Sequence, residues 1–182
     1  MDILFLLPGL LVFFMMGVCT CNLGAIDKEC GRNAPGLKTI VYLACADDIT
    51  SIGAATNHAV STITEAASQG FFPINITRKD NDLKSTPNED GGYTTEMKGF
   101  ISKQAAAKAN ILTQLATDEN YIGIPVDQNG LQHILGSLDH PIKVRAEAVT
   151  TPKNGYNLTF TWEGHADLPY IYTGTIGDIL HP

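Results

Sequence analysis

Residues 142–163 read IKVRAEAVTTPKNGYNLTFTWE. The first eight set Ile142, Val144, Ala146 and Ala148 against Lys143, Arg145 and Glu147, and the last eight set Tyr156, Leu158, Phe160 and Trp162 against Asn157, Thr159 and Thr161. Successive side chains leave a strand on opposite faces, so alternation sustained this long marks two strands that each lay one face on a core. Asn154-Gly155 between them is the pair favoured in tight hairpins, because both residues tolerate positive φ. Two antiparallel strands are therefore expected here, and the rest of the chain extends the pattern.

Upstream, GLKTIVYLACA (36–46) is rich in β-branched and aromatic residues and is bounded by Pro35-Gly36 and Asp47-Asp48, which reads as a buried strand. An Ala/Thr/Ser-rich connection leads to FFPINITRK (71–79), where Phe72, Ile74 and Ile76 are expected on one face and Asn75 and Thr77 on the other. GYTTEMKGFIS (92–102) alternates Tyr93, Thr95, Met97 and Ile101 against Thr94, Glu96 and Lys98. Between these two strands, KDNDLKSTPNEDGG (79–92) is polar and holds a Pro and two Gly, so it is expected to be a long hairpin loop.

One helix is expected over SKQAAAKANILTQLATDEN (102–120). Ser102 would cap it, Ala supplies propensity, and Ala105, Ala109, Leu112 and Ala116 recur at helical spacing with Ile111 and Leu115 alongside. YIGIPVDQNGLQHILGS (121–137) predicts a hairpin turning at Asn129-Gly130, and LPYIYTGTI (168–176) a last strand that closes the sheet. The fold class expected is mainly β: an antiparallel sandwich or barrel with one α-helix packed on it. Residues 37–182 form a single β-rich domain behind an N-terminal apolar segment and arm, residues 1–36.

That opening segment is apolar, Pro or Gly from Ile3 to Val18, 16 residues against the roughly 20 of a membrane-spanning helix. It lacks the basic residues that precede a secretory signal, since the first is Lys28, and Val18 stands before Cys19 where a lipoprotein has a small residue. Translation from Met15 or Met16 accounts for the missing signal, as does an arm that orders on assembly. Export or membrane anchoring through residues 3–18 is the alternative.

The formal net charge of −7, with no basic run, argues against a nucleic-acid-binding face. Cys19, Cys21, Cys30 and Cys45 match no zinc framework, and Cys45 reads as a small core residue. His58, His133, His140, His165 and His181 show no helical metal pair and read as surface or turn residues. Glu163, His165 and Asp167 are the nearest approach to an acid, base or metal-ligand group, yet a strand end running into a turn collects such residues anyway. The sequons at Asn75 and Asn157 lie inside expected strands. No cofactor, metal or small-molecule substrate is expected.

The order of strand, polar loop, strand and helix, followed by V-D-x-N-G-L-x-x-x-L-G at 126–136 and the Y-N-L-T-F-T-W-E strand, resembles small virion structural proteins of tailed phages and prophages. Among these it is most similar to tail-tube subunits, over roughly Lys38 to Ile176. The resemblance implies a non-enzymatic homo-oligomer, made in the bacterial cytoplasm and resident in the virion tail. Its rings would stack into a tube through edge strands, termini and one long loop, beside other tail proteins, with DNA passing through the lumen unbound by specific contacts. Net charge −7 suits such a wall, since attraction would hold the DNA in place. The loop expected between rings supplies Lys79, Asp80, Asp82, Leu83, Lys84, Glu89 and Asp90. A secreted or lipid-anchored sandwich that binds a surface ligand is the second reading, and an enzyme built on Glu163, His165 and Asp167 the third.

Overall fold

The computed structural model describes residues 34–77, 81–89, 91–117 and 120–182. The opening apolar stretch, Cys19, Cys21, Cys30, Lys79, Asp80 and Asp90 lie outside the described residues. In chain order the elements are β1 (Leu37–Cys45), β2 (Ile49–Ile52), β3 (Ala59–Val60), β4 (Ile63–Glu65), β5 (Phe72–Asn75), β6 (Asp82–Pro87), β7 (Tyr93–Ser102), α1 (Ala106–Thr117), β8 (Tyr121–Asp127), β9 (Gln132–His133), β10 (Lys143–Val149), β11 (Gly155–His165) and β12 (Ile171–Tyr172). The fold is mainly β, with several antiparallel sheets and one helix, as the alternation in the sequence requires.

A four-stranded sheet has the order β10-β11-β7-β6, a six-stranded sheet the order β3-β12-β9-β8-β1-β5, and β2 pairs with β4 in a third. The main core joins the two larger sheets: Val41, Leu43 and Tyr121 of one meet Met97, Val144, Tyr156, Leu158, Phe160 and Trp162 of the other. Every inward residue expected on β11 is buried there, and each such large apolar side chain contributes about 1.5–3 kcal/mol by leaving water. A second core gathers Ala44, Ile122, Ile124 and Tyr172 with Ile49, Ile63, Phe71, Ile134 and Ile179. Strand β8 serves both cores, which is why six consecutive residues, Tyr121 to Val126, are buried and its sequence shows no polar face.

The polar interval 79–92 is where the structure departs most from the expected pattern. Residues 82–87 are not loop but strand β6, paired antiparallel with β7 from Asp82↔Lys98 to Pro87↔Tyr93, so only a short tip closes the hairpin. Leu83 already packs against the main core of its own chain. An edge strand covers little of the core, and no residue of β6 is fully buried, so its composition is that of a loop. The connection before β5 likewise carries three short strands, β2, β3 and β4.

Smaller departures have local causes. Ser102 is the last residue of β7 and no helix cap, because Lys103 turns the chain at φ 63 and α1 starts four residues later, at Ala106. The helix buries only Leu112, while Ala116 and Ile111 are exposed. Phe72 is 49% exposed and stacks on His181 at 4.5 Å, because its neighbour Phe71, bridged to Leu180, is the one that enters the second core. Gly155 is a strand residue and makes no turn: Val149 pairs with it, and a Cβ there would lie 2.1 Å from the Ile101 carbonyl oxygen. The Asn129-Gly130 turn forms as expected, with Gly130 at φ +95.

Candidate functional site

A glycine at the far end of β11 decides the site. The β11–β7 register runs evenly from Gly155↔Ser102 to Trp162↔Thr95 and then slips, so that His165 pairs with Tyr93. Gly164, at φ +71, takes up the extra residue. Residues three apart in a regular strand face opposite ways, but a bulge inserts one unpaired residue and returns the next to the same face. His165 therefore points inward with Trp162, and is 5% exposed rather than a surface residue.

Its imidazole lies flat on the Trp162 indole, with centroids 3.7 Å apart and 7° between planes, and Tyr93 stands beyond at 6.2 Å. Nδ1 donates to the backbone carbonyl of Asp167. Nε2 lies 3.1 Å from Thr95 Oγ1, which in turn lies 2.7 Å from Ser85 Oγ. Burial pushes the His165 pKa below the ordinary 6.5, opposed by the Asp167 carbonyl and then by the Asp167 charge. The ring is neutral at pH 7, and the carbonyl accepts from Nδ1, so Nε2 must be the acceptor. The file of hydrogen bonds then has one direction: Ser85 donates to Thr95, and Thr95 donates to His165.

The three residues singled out from the sequence do not converge. Glu163 points to solvent on the outer face, opposite His165. Asp167 offers its backbone to His165, while its carboxylate accepts from the Tyr170 hydroxyl at 2.5 Å and raises the Tyr170 pKa. Sequence reasoning missed Ser85, Thr95 and Trp162 as partners of His165. Their signal was the glycine in WEGH, since an isolated Gly inside a strand pattern marks a bulge.

Of the proposed inter-ring residues, Asp82, Leu83 and Lys84 lie on β6, and Glu89 lies exposed at the hairpin tip. The outer face of the four-stranded sheet carries Lys84, Lys98, Lys143 and Arg145 against Asp82, Glu96, Glu147 and Glu163, a balance of signs, with Asn157, Thr159 and Thr161 along β11. Phe100 shares that face and is covered by Lys153, whose ammonium sits 5.4 Å from the ring centroid.

A groove of about 510 Å³ runs between β5 and α1, lined mainly by Pro73, Ile74, Ile76, Ile111, Leu112 and Leu115. Among the described residues no cluster of three or more His, Cys, Asp or Glu could hold a metal ion, and no helix is long and apolar enough to cross a membrane. Compared with known proteins, the chain matches no family model, no curated protein and no solved structure.

Proposed function

We propose that this chain is a self-assembling structural subunit of the tail-tube type, in which copies join side by side into rings and the rings stack around a lumen. The observation that carries the reading is the pair of open edges on the four-stranded sheet. Strands β6 and β10 end that sheet on opposite sides, and among the described residues neither carries a further ladder, although Ile142, just before β10, bridges Tyr121 of β8. All its pairings are antiparallel, so β10 and β6 run in opposite directions and β10 of one copy can continue the ladder from β6 of the next.

Such head-to-tail pairing is heterologous and closes into a ring when the rotation per copy divides a full turn. It also removes the unpaired edges that would otherwise invite aggregation. The mixed-charge outer face of the sheet suits a surface past which phosphate slides, since neither sign dominates it. In this arrangement β6 acts laterally, and the hairpin tip that carries Glu89 is left to meet the neighbouring ring.

Electron microscopy of the full-length protein, with light scattering to give its mass, tests the reading. Rings or tubes are expected, with amide exchange on β6 and β10 slowing in the assembled fraction. A monomer at every concentration, or a chain lipidated at Cys19, would overturn it.

A further inference from the structure

Ser85, Thr95 and His165 link the free edge of the four-stranded sheet to its interior through two hydrogen bonds. Thr95 is fully buried and Ser85 half-buried, so the file has one end in the core and the other at the edge strand. We propose that it is an acid-sensitive switch: protonation of His165 at Nε2 reverses the file and turns the Ser85 hydroxyl hydrogen outward at the sheet edge.

The reversal follows from counting donors. With Nδ1 committed to the Asp167 carbonyl, a proton added at Nε2 turns that atom from acceptor to donor. Thr95 Oγ1 then accepts from His165, and its own hydrogen must turn to Ser85 Oγ. The Ser85 hydrogen is in turn driven out of the file at the sheet edge, while Ser85 Oγ keeps its bond to Thr95, now as acceptor.

The groups facing the imidazole leave no other route. Trp162 and Tyr93 present ring faces, which tolerate a cation, and Thr95 presents its hydroxyl. Among the described residues Asp167 is the one charged group in contact, and its carboxylate is engaged by Tyr170. Glu163 faces away across the sheet. The hairpin tip closes the remaining side, where Gly92 packs on the His165 carbonyl oxygen.

Any effect on assembly rests on the edge-pairing reading above, but the switch is tested on the unassembled chain, so either idea can fail alone. Trp162 is the chain's one tryptophan, and a protonated imidazole stacked on an indole quenches its emission. Full-length protein titrated from pH 8 to pH 5 is expected to show one reversible quench with a midpoint below 6.5. His165→Gln should abolish it. Ser85→Ala should move the midpoint lower, because the Thr95 hydrogen then has no acceptor in the protonated file.

Amide exchange of β6, corrected for intrinsic rates, should stay level across the same midpoint, because β6 keeps its bond to Thr95 in both states. A quench that survives in His165→Gln, a midpoint unmoved in Ser85→Ala, or β6 exchange that rises with the quench would each overturn the switch. Should His165→Gln fail to fold, the half-buried Ser85→Ala site and the exchange profile of the natural chain still decide the matter.

Discussion

Gly92 rests on the carbonyl of His165: a β-carbon built on Gly92 would stand 2.8 Å from that oxygen, and Gly92 itself is at φ +102. The tip of the β6–β7 hairpin is thus fastened to the bulge of β11 by an approach that only glycine permits. Gly164, which makes the bulge, has open space where its side chain would be and needs only its positive φ.

The two glycines should therefore differ on substitution. Gly164→Ala is expected to cost about 1 kcal/mol, the penalty of the left-handed region alone. Gly92→Ala adds a backbone collision and should cost about 2 kcal/mol or more. Urea unfolding of both variants checks the order, and equal losses would contradict the geometry.

Stability should also fall in acid. His165 has its pKa lowered by burial in the folded state, so between its folded pKa and 6.5 the unfolded chain binds more protons. This contribution is fully present above the unfolded value and is lost as pH drops toward the folded one. His165→Ala is expected to remove that part of the pH dependence and to cost about 1–3 kcal/mol at pH 7, by leaving Thr95 without its acceptor. Denaturant midpoints between pH 5 and pH 8 for both chains test the sign.

Core and helix positions should separate widely. Phe160 is 1% exposed between the two large sheets, and Phe160→Ala should cost about 3–5 kcal/mol. Ile111 on α1 is 57% exposed, and Ile111→Ala should change stability by less than about 0.5 kcal/mol. A large loss at Ile111 in dilute monomer would show that the groove beside it is filled.

Exchanging Leu83 to Asp90 for a short Gly-Ser linker removes most of an edge strand. The flanking β7 would keep β11 but lose its other partner strand, and the main core would lose Leu83, so the monomer should be destabilised by about 2 kcal/mol or more. An unchanged melting temperature would mean that β6 contributes nothing to the fold.

The legibility of the sequence followed burial. Strands β10 and β11 could be placed to within one or two residues at each end, because one face is in the core and the other in water, which imposes a period of two. Strand β6 escaped, since at the margin of a sheet Leu83 alone marks its inward side, and β2, β3 and β4 are too short to display a period. His165 escaped for a different reason. Its orientation depends on parity along β11, and Gly164 changes the parity by one, so a residue expected at the surface of a turn lies under the sheet. The partners Ser85 and Thr95 are distant in sequence and are brought to it by strand register, which no local pattern encodes.

The double duty of β8 sets a limit on how this chain can be made. Strand β1 finds its central neighbour only at residues 121–127, and β3 waits for β12 at 171–172. Neither hydrophobic interior can close while the first hundred residues stand alone, so folding must wait until most of the polypeptide has been synthesised. Pairings this far apart in sequence are slow to form. During that interval LKTIVYLAC, the most apolar of the early strands, stays without its cover. A nascent chain stalled before residue 121 is the species most exposed to aggregation and to chaperone capture.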